Sequence, residues 1–470
     1  MEKKNTWETY SSKQLKELEK INAQYRDFLD NGKTERECID TIVNTIEKSG
    51  YRELESLIKE GAALKTGDKV YSVWMNKSIA MFQIGRKPMT DGMNILGAHI
   101  DSPRLDVKQN PLYEDGGFAY LDTHYYGGVK KYQWVTIPLA IHGVIVKKDG
   151  TCVEINIGEN EDDPVFFVSD LLIHLAQEQL EKKAAKVIEG EALDIIVGNK
   201  PLLIDKKDKK KDEKEAGKEA VKAGVLDILK ETYDIHEEDF VSAELEIVPA
   251  GKAREAGFDR SMTLAYGQDD RVCAYTSMQA MLDSDVTDRT MCCILVDKEE
   301  IGSVGATGMQ SHFFENAVAE VMNLAGEYSE LNVRRCLAHS CMLSSDVSSA
   351  FDPTYASSFD KKNVAYLGSG MVINKFTGAR GKSGSNDANA EYLAHLRHIF
   401  DKAEVNFQTA ELGKVDLGGG GTIAYILALY GMNVIDSGVL NMHAPWEATS
   451  KADVYETYRG YKAFVEGASL

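Results

Sequence analysis

Five polar points along the chain carry residue types that can do chemistry: His99 with Asp101, Asp269 with Asp270, Glu299 with Glu300, Asp346, and His443. Each follows a short hydrophobic run or opens a helical stretch, so a fold that aligned its strand ends would gather them in one cleft. Gathered, two imidazoles and several carboxylates form a mixed nitrogen and oxygen donor set. Such a set suits zinc, manganese or cobalt and not the thiolate-preferring ions. Two histidines and three carboxylates are enough for two ions when one carboxylate bridges them. The doublet Glu299-Glu300 then lets one carboxylate bind metal while its neighbour faces the substrate and moves a proton during hydrolysis. In His99-x-Asp101 the spacing suits a carboxylate that accepts the second ring N–H of a ligating imidazole and fixes its tautomer. Spacing alone does not decide which of Asp269 and Asp270 would bridge.

Taken singly, a carboxylate at a strand end is more often a helix cap or a surface charge. The seven histidines His124, His142, His236, His312, His339, His395 and His398 lack a comparable context and read as structural. Competing motifs fail. His236-Glu237-Glu238-Asp239-Phe240 begins like H-E-x-x-H but ends on Phe240, and no G-x-S-x-G elbow occurs. The run Gly418 to Thr422 has no Lys before its Thr and is not a P-loop. A glycine run opening a helix lets backbone N–H groups approach a carbonyl or anion, and it equally allows tight helix-to-sheet packing.

The elements that must position these residues are legible as patterns. Residues 1–65 read as helical, with Leu15, Leu18, Ile21, Tyr25 and Leu29 recurring at helical spacing and Cys38, Ile42, Val43 and Ile46 repeating it. Strand-like runs follow at 70–74, 78–84 and 93–98. From about 105 to 249 the texture is β-rich, with runs at 118–120, 135–137 and 141–146, and it contains a charged run at 206–214 that reads as a solvated loop or helix face. From about 250 onward, strand-like runs at 291–296, 336–342 and 432–435 alternate with helical spacing at 271–282, 312–325, 389–403 and 423–430. The expected architecture is α/β: a doubly wound mixed sheet in a discontinuous catalytic domain, 1–105 and 250–470, with an inserted β-rich domain over 106–249.

Composition narrows the classes. The 470 residues carry 54 Lys plus Arg against 74 Asp plus Glu, a formal charge of −20, which repels phosphate backbones and anionic lipid. Nucleic acid and membrane are therefore not expected partners. The polar N-terminus has no secretory run and no stretch reaches membrane-spanning length, so a cytoplasmic protein is expected. Seven scattered cysteines with no C-x-x-C pair read as reduced thiols.

In this order, the strings Gly97 to Arg104 (GAHIDSPR), Gln268 to Arg271, Asp297 to Ser303, Ser345-Asp346-Val347, Gly418 to Thr422, and Asn441 to Ala444 resemble the aspartyl aminopeptidase family of dinuclear zinc metallopeptidases. The resemblance implies that Asp269 bridges two divalent ions, zinc first with cobalt or manganese as alternatives. His99 and Asp346 would complete one site, Glu300 and His443 the other. Glu299 would be the general base beside a metal-bridging hydroxide, and Asp101 the partner of His99. It further implies that the insert is a dimerisation domain, that the chain assembles into a tetrahedral dodecamer, and that His174 in Leu171 to Leu175 reaches a neighbouring subunit's active site. Without the resemblance, His174 reads as a histidine on an apolar helix face packed in a core. The stretch Lys375 to Gly384 offers cations near the cleft, and Lys375, Lys382 and Gly419 are the candidate substrate contacts beside His174. The implied reaction is removal of an acidic or neutral N-terminal residue from peptides with a free amine. The rival readings are a related dinuclear deacylase of N-acyl amino acids and a catalytically silent peptide-binding homologue.

Overall fold

The computed structural model describes residues 5–202, 219–378, 380–384, 386–420, 423–438 and 443–469. The charged run 206–214, the first two residues of the string Asn441 to Ala444 and the end of the glycine run lie outside the described residues. By its contacts the chain divides into two compact units. One comprises Met1–Ser102, Ala253–Met442 and Trp446–Leu470, and the other Pro103–Lys252 with His443–Pro445.

The first unit is built on a nine-stranded mixed sheet. Its centre is four parallel strands in the order Thr290–Val296, Met93–His99, Cys341–Ser345 and Asn433–Gly438. On one side, Ser78–Gln83 joins antiparallel, followed by Lys69–Trp74 and the two residues Arg52–Glu53. On the other, Met371–Asn374 runs antiparallel to the centre and pairs with Phe407–Ala410. Both faces are covered. In the Met93–His99 strand, Met93 and Ile95 join one apolar cluster while Leu96 and Ala98 join the other. The neighbouring Thr290–Val296 strand alternates in the same way, with Cys292, Ile294 and Val296 on one face and Met291, Cys293 and Leu295 on the other. A strand buried on two sides reads as an unbroken hydrophobic run because both phases of its pleat must be apolar. Gly97 sits in a crowded place, since a Cβ there would displace the terminal methyl of Met342 and lie 3.1 Å from Ile423.

Helices Ser12–Asn31, Glu35–Lys48, Gln268–Leu282, Ala390–Lys402 and Lys451–Gly467 supply one cluster. Leu54–Glu60, Phe313–Leu324, Glu330–Ala338 and Ala424–Ala428 supply the other. The expected helical N-terminus resolves into three helices, the first two started by capping boxes, Ser11 with Gln14 and Thr34 with Glu37. In each box two backbone donors left over at the helix start are satisfied reciprocally. A small antiparallel sheet, Arg254–Ala256, Met262–Ala265 and Glu447–Ser450, completes this unit.

The second unit contains a six-stranded antiparallel sheet in the order Cys152–Ile157, Leu139–Val146, Ala243–Pro249, Arg104–Asp115, Phe118–Tyr126 and Ile195–Gly198. Several expectations need correction. The run 336–342 is not one strand: Cys336 lies in the last turn of the helix Glu330–Ala338, and the strand starts only at Cys341, after the turn at His339 and Ser340. Residues 135–137 form no strand beyond a single bridge from Val135 to Val168, and Thr136 sits at φ 60°. The helix expected at 423–430 is confined to Ala424–Ala428. His174 lies in the short 3₁₀ turn Ile173–Leu175 and is exposed, so it packs in no core and on no α-helix. Among the described residues no helix is long and apolar enough to cross a membrane.

Candidate metal and catalytic centre

The carboxyl ends of the central parallel strands deliver the chemistry. Val296 and His99 are register partners, so the segment after each strand leaves the sheet at the same level. The Met93–His99 strand ends in His99 and runs on to Asp101; Thr290–Val296 leads through Asp297 into the turn Glu299–Ile301; Cys341–Ser345 leads to Asp346. Asp269 and Asp270 stand at the start of the helix Gln268–Leu282, joined by a cis peptide and outside helical φ/ψ.

His99 is 1% exposed. Its Nδ1 faces the carbonyl oxygen of Asp101 at 3.0 Å and the carboxylate Oδ1 of the same residue at 3.2 Å. The Nδ1 proton is thereby engaged, which turns Nε2 to the other side of the ring, toward Asp269 Oδ1 at 3.3 Å and Asp346 Oδ1 at 3.9 Å. His99, Asp269 and Asp346 each offer a ligand atom, all within 4.8 Å of one another. Glu299 Oε2 lies 3.9 Å from the same Nε2.

Asp101 also does something its spacing did not reveal. Its two carboxylate oxygens accept the backbone N–H groups of Glu299 and Glu300, each at 3.2 Å. One buried carboxylate thus orients the imidazole and caps the turn that presents both glutamates. That turn is held from behind by Asp297, whose oxygens accept from Thr307 Oγ1 at 2.6 Å and from the Lys298 N–H at 2.7 Å. Lys298 takes up φ 71° to make the bend. Burial, with Glu35 and Asp101 nearby, pushes the Asp297 carboxyl up to about 7.

The electrostatics point to a cation. Burial, then the Asp346 carboxylate, pushes Glu299 up to about 8, while His99 opposes the rise. Burial pushes Asp346 up to about 6, with Asp269 adding to the rise against the His99 hydrogen bond, and Glu300 stands well above the usual carboxylate range through burial and Asp269. Burial works against the charged imidazole of His99, yet hydrogen bonds to Asp101, Asp269 and Asp346 carry it well above its ordinary value. Clustered buried carboxylates raise one another because several negative charges share a poorly solvated space, and a divalent ion reverses that cost. One imidazole with carboxylate oxygens is a donor set that zinc accepts. The residues therefore fit a metal.

The remaining candidates are placed as follows. His443 belongs by contact to the segment His443–Pro445 of the second unit, where its Nδ1 lies 2.9 Å from the carbonyl oxygen of Gly128. Lys382 and Gly419 line one cavity of about 170 Å³ together with Arg380, Lys414 and Phe376, whereas Lys375 is exposed and lies outside that lining. Lys382 is paired with Asp387 at 2.9 Å and sits 3.9 Å above the Phe376 ring. Sequence reasoning missed Glu447, which is 1% exposed and accepts the backbone N–H of Asp269 at 3.0 Å. The available signal was a carboxylate opening a short strand four residues after His443.

A parallel α/β sheet whose strand ends converge on a buried histidine and carboxylate cluster defines a metal-dependent hydrolase. The sequence matches the family described as Aminopeptidase I zinc metalloprotease (M18) over residues 28–465. It is 63% identical to a probable M18 family aminopeptidase 1 of Clostridium acetobutylicum over 466 residues, covering 99% of this chain and 98% of that protein. The structure resembles the crystal structure of the M18 aminopeptidase from Thermotoga maritima with a TM-score of 0.93 at 44% identity, covering all of both chains. At 19% identity and a TM-score of 0.74, it shares the fold of the yeast mApe1 dodecamer's chain, covering 94% of this chain and 96% of that one. The chain belongs to the M18 family of zinc metallopeptidases and is a metalloaminopeptidase.

Proposed function

We propose that this aminopeptidase works through two divalent ions sharing Asp269, with His99 and Asp346 completing one site and Glu300 and His443 the other. The observation that carries the reading is the convergence of His99, Asp269 and Asp346 within 4.8 Å, with the Glu299 carboxylate 3.9 Å from His99 Nε2. When bound, the ions supply Lewis acidity, polarising the scissile carbonyl and acidifying the attacking water. Glu299 takes the proton of that water on its carboxylate and returns it to the leaving amine. Asp101 holds His99 in the tautomer that leaves Nε2 for the metal, and it fixes the direction of Glu299 through the backbone. The cavity lined by Lys382, Arg380, Lys414 and Gly419 receives part of the peptide, and exposed Lys375 remains a candidate substrate contact outside that lining.

The chain acts as a homo-oligomer, and the reading extends to a tetrahedral dodecamer. The distant yeast relative is a dodecamer, and His174 is exposed on a turn flanked by exposed Leu171, Leu172, Ile173 and Leu175. This suits a histidine that serves another copy's substrate site. A cytoplasmic setting agrees with seven cysteines that form no disulfide among the described residues.

The test is metal analysis of the purified protein alongside a screen of aminoacyl chromogenic substrates with zinc, cobalt or manganese restored. Two ions per chain are expected, and Asp269→Ala should lose metal and activity together. A fully metallated, active Asp269→Ala protein contradicts the shared ligand. Cleavage of N-acetylated but not free-amino substrates contradicts the aminopeptidase step.

A further inference from the structure

Asp269 offers its carboxylate to the centre while its backbone is held from the opposite side. It lies at φ −82°, ψ 109°, outside helical geometry at a helix start, where backbone N–H groups lack intrahelical acceptors. Its N–H donates to Glu447 Oε2 at 3.0 Å, and its carbonyl accepts from Ser102 Oγ at 2.6 Å. The preceding Gln268 is tied to the same strand: its Nε2 donates to the carbonyl oxygen of Glu447 at 2.5 Å and to that of Thr263 at 3.2 Å. Its Oε1 accepts from Tyr25 Oη at 3.0 Å and from Thr449 Oγ1 at 2.7 Å. Every member of this network is buried.

We propose that Glu447 is a positioning residue that sets metal affinity by fixing the backbone of Asp269. A carboxylate accepting a backbone N–H in a buried site makes a stronger and more directional bond than a neutral acceptor. Glu447 opens the strand Glu447–Ser450 and is register partner of Ala265, so its own backbone is anchored by the small sheet. Rotation of the Asp269 backbone, which would swing the shared carboxylate, breaks that bond. The inference rests on the reading of Asp269 as the shared ligand.

The experiment titrates the metal-free protein with zinc against a chelating dye and records its melting temperature. Glu447→Ala weakens zinc binding by about 10–100-fold, the usual effect of removing a group that orients a ligand. Glu447→Gln keeps an acceptor oxygen and restores most of the affinity. Glu447→Met fills a similar volume without one, reproduces the loss, and replaces Glu447→Ala should that variant not fold. Tyr25→Phe, which cuts one bond to Gln268, lowers the melting temperature of the metal-free protein with no comparable change in zinc affinity. An equal loss of affinity in Tyr25→Phe overturns the proposal, because general loosening would then explain both. Asp269→Ala is run in parallel. If it binds zinc as the wild type does, the shared-ligand reading falls; if it loses zinc while Glu447→Ala and Glu447→Met bind normally, the positioning role alone falls.

Discussion

Asp101 shows how one side chain can serve two parts of a catalytic centre. Its carbonyl and carboxylate face His99 Nδ1, while both carboxylate oxygens receive the N–H groups of the glutamate turn. Asp101→Ala therefore loses the carboxylate contact to the imidazole and the cap on Glu299 and Glu300 together, leaving only the backbone carbonyl of residue 101 to hold His99 Nδ1. The expected outcome is zinc affinity weakened by about 10–100-fold, with activity partly recovered by excess zinc, measured by titration and steady-state assay. Glu299→Gln isolates proton transfer from both of these losses. It keeps the volume and the backbone bond to Asp101 but cannot carry a proton, so the bound metal should remain while kcat falls by about 10²–10⁴-fold. Undiminished turnover in a metallated Glu299→Gln protein would remove Glu299 from the proton-transfer step.

Among the elements, the helix Lys451–Gly467 carries a buried titratable group that is no member of the proposed metal sites. Asp453 accepts the N–H groups of Gly368 and Gly370, both at 2.8 Å, yet burial pushes its carboxyl up to about 7, with Glu456 adding to the rise. An unfolded aspartate titrates near about 3.9, so the folded state holds the proton more tightly. The resulting stability is complete below about pH 4 and is lost as pH rises toward about 7, at no more than about 1.4 kcal/mol per pH unit. Asp453→Asn abolishes this dependence and adds a constant penalty, because its NH₂ faces one of the two glycine donors. Thermal melts of the metal-free proteins at pH 5 and pH 8 check it: the wild type should lose stability relative to Asp453→Asn over that interval. Element type was readable wherever packing imposes one period. The run 291–296 is apolar throughout, and 93–98 is apolar but for the buried Asn94, because two helix layers bury both faces, and the α/β class followed from them. The run 336–342 misled because a two-residue polar break, His339-Ser340, is all that separates the apolar end of the helix from the apolar start of the strand. The same holds for the site. His99 and Asp346 were legible as donors after strand-like runs and Asp269 as one opening a helical stretch, but the role of Glu447 depends on a bond to a residue 178 positions away, which no local pattern encodes.

At the scale of the whole molecule, the turn Ile173–Leu175 is one apolar feature that a single chain leaves uncovered. Leu172, Ile173 and Leu175 are 59%, 62% and 68% exposed, and His174 among them is exposed as well. Contiguous apolar exposure of this kind marks a surface covered on association, and a histidine set within it can be delivered to a second copy. Leu172→Glu with Leu175→Glu should shift the protein toward smaller species in light scattering, because burying two carboxylates without partners is unfavourable. Activity should fall with the assembly even though no residue of the proposed metal sites has changed. Delivery across the interface has its own test. His174→Ala subunits keep an intact Glu299, and Glu299→Ala subunits keep an intact His174, so each homo-oligomer should be inactive or nearly so. After dissociation and reassembly as a mixture, some active sites would receive His174 from one chain and Glu299 from the other. Measurable activity in the mixed oligomer is the expected outcome, read with an aminoacyl chromogenic substrate. Absence of recovery, with mixing verified by native mass spectrometry, would confine His174 to a structural role in its own chain.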